Sequence, residues 1–84
     1  MKTTKTGGEI RRLLLAEVAR QLTHQRDADQ LNVHVYSRRA ANDANWTADY
    51  ALWGPIKSSS DEIRAAWSAA FAQVSSEFDI IRRS

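Results

Sequence analysis

The chain reads as a small α+β domain of order α-β-β-α, with two helices packed on one face of an antiparallel hairpin. Three observations predict this. Leu31–Tyr36 and Trp46–Trp53 alternate with period two, a loop rich in Ala, Asn and Asp separates them, and amphipathic helical patterns bracket the pair. The alternative is a mostly helical chain in which 46–53 is a helix.

Residues 1–8 are polar and contain Gly7-Gly8, which predicts a flexible N-terminal tail, with 9–84 as the single domain. A first helix is predicted over about 9–26. Ile10, Leu14, Val18 and Leu22 recur every four residues with Leu15 and Ala19 beside them, so they form one apolar stripe. Leu13 lies at the edge of that stripe; Arg12, Ala16, Arg20 and Thr23 fall on the far side. Asp27-Ala28-Asp29 then brings acidic, turn-forming residues that suit a helix exit poorly.

Leu31, Val33 and Val35 share one face of an extended run, and Asn32, His34 and Tyr36 share the other. Asn42-Asp43-Ala44-Asn45 marks a loop. The run 46–53 fits two structures. As a strand it places Trp46, Ala48, Tyr50 and Leu52 on one face; as a helix it has Asn45 as N-cap and Gly54-Pro55 as a stop. The strand is preferred, because the first run would otherwise have no partner for its backbone N–H and C=O groups.

Ser59-Ser60-Asp61-Glu62 matches a capping box, in which the Ser59 side chain receives an N–H and Glu62 reaches back. The helix it opens is predicted to run to about 80, with Ile63, Trp67, Phe71, Val74, Phe78 and Ile81 on one stripe. Arg82-Arg83 then complement its C-terminal dipole. The expected core is Leu14, Val18, Leu22, Val33, Val35, Trp67, Phe71, Val74 and Phe78.

Composition removes several function classes. There is no Cys, so disulfides, thiol catalysis, iron–sulfur clusters and cysteine-based zinc sites are excluded. His24 and His34 stand ten residues apart, without the short spacing of a ligand pair, and no metal is expected. No Gly-rich loop cradles phosphate and no serine sits in a nucleophile elbow, so no cofactor is expected either. The longest apolar run near the start is Leu13–Ala16, too short for a signal peptide or a membrane span, which predicts a cytoplasmic protein. The first helix carries Arg11, Arg12 and Arg20, but so small a domain needs its apolar stripe for the core rather than for a membrane surface.

His34, Tyr36 and a cross-strand Asp49 would form a proton-moving set, but half-buried sheets normally carry such a solvent-facing polar face, and no catalysis is expected. The charge of +2 is too small to imply a polyanionic partner by itself. The Arg38-Arg39 pair beside Tyr36 and Trp46 is nevertheless the pattern of a single-strand binding surface, which makes nucleic-acid binding the alternative function.

The favoured reading is a non-catalytic, self-associating or protein-interaction module. A chain of 84 residues buries only about 60% of the surface its unfolded form exposes. A two-stranded hairpin also has two open edges. The hairpin and second helix hold all three tryptophans, both tyrosines and both phenylalanines, side chains enriched in interface cores. A homodimer is therefore expected, with Tyr36, Trp46, Tyr50 and Trp53 as its candidate interface. The same hairpin edges would serve equally to capture a strand from a different protein.

Overall fold

The computed structural model describes residues 3–37 and 45–80. Its element order is β1 (Thr3–Lys5), α1 (Gly7–Gln21), a 3₁₀ helix (Gln25–Gln30), β2 (Leu31–Tyr36), β3 (Thr47–Leu52), α2 (Ser60–Glu77) and β4 (Phe78–Ile80). The predicted α-β-β-α succession is present as α1, β2, β3 and α2. The segment 46–53 is extended, not helical, and two short strands are added at the chain ends.

The first correction concerns residues 3–8 of the expected flexible tail. Thr3–Lys5 is a strand that pairs in parallel with Phe78–Ile80. Thr6 then caps α1: its hydroxyl accepts the Glu9 N–H at 3.1 Å, and its own N–H donates to Glu9 Oε1 at 3.2 Å. This Thr6–Glu9 capping box starts the helix at Gly7, two residues early, although glycine is a poor helix former. The exposed Glu9 carboxyl is held below its ordinary range by the hydrogen bond from the Thr6 backbone, then by that from the Thr6 side chain.

The second correction is where α1 stops. Leu22 is already extended, with φ −96° and ψ 140°, yet remains buried, so the apolar stripe outlasts the helix. Asp27 explains the departure. Its side chain is buried in the 3₁₀ helix and accepts the Lys57 N–H, the Ser58 N–H at 2.7 Å and the Ser58 hydroxyl at 2.6 Å. A continued α-helix would carry residue 27 away from those donors.

At α2 the Ser59 side chain accepts the Glu62 N–H at 3.1 Å as expected. The reciprocal half of the box is replaced: Glu62 Oε2 instead accepts the Thr23 N–H at 3.1 Å, just beyond the end of α1. β1 leads into α1 and α2 leads into β4, while Glu62 holds the other ends together, so the helices run antiparallel. Helix α2 ends at Glu77, three residues earlier than its stripe predicts, because Phe78–Ile80 take up the ladder offered by β1.

The hairpin register pairs Leu31 with Leu52, Val33 with Tyr50 and Val35 with Ala48 on the face toward the helices. Ile10, Leu14, Val18 and Leu22 meet Ile63, Ala66, Ala70 and Val74 to form the centre of the core. The two alanines admit a close helix–helix approach. Trp67 and Phe71, expected as core centres, are half-buried beside it and reach up to the hairpin. Trp67 lies 5.0 Å from Tyr50 and Phe71 lies 5.2 Å from Trp46, centroid to centroid, in tilted contacts. Val35 and Phe78 are likewise at the core's margin.

Candidate functional site

Among the described residues, the hairpin combines an unpaired strand edge with exposed large hydrophobic side chains. Trp53 N–H donates to the Gln30 carbonyl at 2.7 Å, one step beyond the last strand pair. Hydrogen-bonded pairs alternate along an antiparallel ladder, so the pairs 32/51, 34/49 and 36/47 exchange bonds and 31/52, 33/50 and 35/48 do not. Ala48, Tyr50 and Leu52 therefore turn their N–H and C=O groups to the outer edge of β3.

Among the described residues, β2 and β3 pair only with each other. The chain leaving β3 crosses toward β2, where Lys57 and Ser58 meet Asp27. Helix α1 packs against both β2 and the 3₁₀ helix, whereas the extensive backbone contact of β3 is with β2. Among the described residues, the outer edge of β3 has no strand paired to it.

Tyr36, Leu52 and Trp53 are the exposed large hydrophobic residues among those described, at 45%, 46% and 72%. All three are on or directly beyond the hairpin. Tyr36 and Trp53 belong to its outer face, Leu52 to the uncovered end of its inner face. Tyr50 is half-buried against Trp67.

Trp46 has to be removed from both candidate sets. It is fully buried against Phe71, and its Nε1–H donates to the Phe78 carbonyl at 2.9 Å, so its ring is available neither to a base nor to a partner. Arg38 and Arg39 lie outside the described residues. Leu52 was not legible as an exposed residue, since its period-two phase assigns it to the inner face with Trp46, Ala48 and Tyr50.

His34 and Asp49 do stand opposite each other in the register. Both are exposed, and His34 Nε2 lies 3.1 Å from Asn32 Nδ2 on the same strand. Neither residue lines either of two grooves elsewhere on the fold. A groove of about 400 Å³ runs between α1 and the 3₁₀ helix, with Arg11, Gln25 and Asp29 as its polar lining. A second, of about 270 Å³, is bounded by Lys5, Glu9, Arg12, Leu13 and Phe78. There Lys5 is 4.0 Å from Glu9 Oε2 and 5.8 Å from the Phe78 ring centre, so its charge already has local partners.

Among the described residues, Asp27 is the buried carboxylate. The Ser58 hydroxyl, then the Lys57 and Ser58 amides and the nearby His24, hold it below the ordinary range against the opposing effect of burial. These donors bind it as a structural anion. Among the described residues, no group of three or more His, Asp or Glu could hold a metal ion, and no helix is long and apolar enough to cross a membrane.

No protein-family model, curated protein or solved structure matches this chain, so the surfaces of the fold are what bear on its function.

Proposed function

We propose that this chain is a non-catalytic, self-associating module that works as a homodimer in the cytoplasm, with the β2–β3 hairpin as its assembly surface. One observation carries the reading: the exposed large hydrophobic residues described, Tyr36, Leu52 and Trp53, gather on the element that also presents an unpaired strand edge. Aromatic side chains and Leu in water beside unpaired backbone groups are the ingredients of a strand-addition interface. A second copy meets both needs, by burying the rings and completing the ladder. The small core of the domain gives such burial a direct role in stability.

Light scattering and sedimentation at micromolar concentration test this. The expected particle has about twice the 9.5 kDa chain mass. Trp53→Ser should shift it toward the monomer while leaving the circular dichroism spectrum unchanged. A wild-type monomer across that range overturns the reading. Nucleic-acid binding gains no supporting observation, since Trp46 is inside the core and the outer hairpin face presents Asp49 beside its aromatics.

A further inference from the structure

We propose that two copies join edge to edge through β3, antiparallel about a two-fold axis at Tyr50, into a four-stranded sheet in which each Trp53 lies over the partner's Thr47 and against the partner's Tyr36. The proposal rests on the homodimer reading and specifies its geometry.

The hydrogen-bond phase of the hairpin limits the choices. Within β3, Ala48, Tyr50 and Leu52 are the residues that point their backbone groups outward, so these must meet their own kind across a two-fold axis. Three central registers satisfy that condition. An axis at Asp49 sets two carboxylates directly opposite one another, which is destabilising. An axis at Ala51 sets Trp53 opposite the partner's Asp49 and leaves Ala48 beyond the ladder of its own kind. An axis at Tyr50 matches Ala48 with the partner's Leu52, Tyr50 with the partner's Tyr50, and Leu52 with the partner's Ala48, so all three outward residues are used.

This last register also accounts for the exposed side chains. Asp49 faces the partner's Ala51, which separates the carboxylates, and His34 remains beside Asp49 within each hairpin. Trp53 faces the partner's Thr47, whose neighbour in its own hairpin is the partner's Tyr36. Two strand spacings, about 10 Å, separate the Trp53 and Tyr36 backbones, and a Trp and a Tyr ring can meet above the small Thr between them. Leu52 gains the partner's Ala48 as its cross-strand neighbour on the helix-facing side. One register thus covers Tyr36, Leu52 and Trp53 together.

The absence of native Cys allows a direct test by mixing Asp49→Cys with Ala51→Cys chains under mild oxidation. Residue 49 and the partner's residue 51 form a non-hydrogen-bonded pair about 4.5 Å apart at Cα, within disulfide reach. The mixed disulfide should form at least about tenfold faster than either variant cross-links with itself. Faster self-cross-linking of Asp49→Cys or Ala51→Cys, or no preference, overturns the register. A wild-type dimer mass in that case leaves the homodimer reading standing, whereas a monomer mass overturns both. Hydrogen exchange on the wild-type chain is independent of the variants' folding. The amides of Ala48, Tyr50 and Leu52 should lose protection on dilution through the dimer dissociation range; exchange at these three that ignores concentration also overturns the proposal.

Discussion

The side-chain amide of Asn45 pairs with Ile80 as a neighbouring strand would. Its Oδ1 accepts the Ile80 N–H at 2.8 Å and its Nδ2 donates to the Ile80 carbonyl at 3.0 Å. Trp46 Nε1–H donates to the Phe78 carbonyl two residues back, on the same side of β4. Alternate residues of a strand turn their backbone groups to opposite sides, so Asp79 is left to bond with β1. The two residues before β3 thus extend the β1–β4 ladder with side chains, and tie the hairpin to those two strands.

Asn45→Ala should destabilise the domain by about 1–3 kcal/mol, because two half-buried backbone groups lose their partners. Asn45→Asp should not rescue it: the carboxylate offers no donor to the Ile80 carbonyl and sits close to Asp79. Thermal and urea unfolding measure both.

Trp46 and Trp53 should respond in opposite ways. Trp46→Ala empties a fully buried ring site and should cost on the order of 3–5 kcal/mol, enough to unfold a small domain. Trp53→Ala should weaken self-association while changing the stability of the isolated chain by only about 0.5 kcal/mol. Denaturant melts at two protein concentrations separate these effects.

Removal of residues 1–5 should lower stability by about 1–3 kcal/mol, since β4 loses its ladder partner. A flexible tail would be dispensable, so an unchanged unfolding midpoint would count against the β1–β4 pairing. Thr6→Ala should separately cost about 0.5–2 kcal/mol by removing the α1 cap.

Asp27 should dominate the acid limb of stability. Its folded pKa lies below the ordinary value of 3.8, so its contribution is fully present above that value. It is lost as pH falls from there through the folded pKa, when the carboxylate bound by Ser58 and Lys57 is protonated. Asp27→Asn should therefore melt lower than wild type at pH 7, with the gap narrowing below about pH 4. Glu9 is lowered in the same sense and should leave the variant a weaker acid dependence. Parallel melts from pH 7 to pH 2 measure the convergence.

Local signals located α1, β2 and α2, because each lies within one run of residues: four-residue steps from Ile10 to Leu22, alternation from Leu31 to Tyr36, and the Ser59 cap before Ile63, whereas β3 was decided by the need of β2 for a partner. Alternation also set which face of the hairpin meets the helices. The links that close the fold were not legible, since Asp27–Ser58, Glu62–Thr23 and Asn45–Ile80 each join residues at least thirty positions apart. Their partners are largely backbone groups, which every residue carries, so residue identity gives little signal of the pairing. Trp46 and Leu52 show the same limit at the hairpin. Both share the inner phase of one run, yet Trp46 is fully buried and Leu52 is 46% exposed. Alternation assigns a side chain to a face, but burial depends on what covers that face: the Phe71 ring packs on Trp46 and the Phe78 carbonyl holds its indole N–H, whereas Leu52 at the far end of β3 stays exposed.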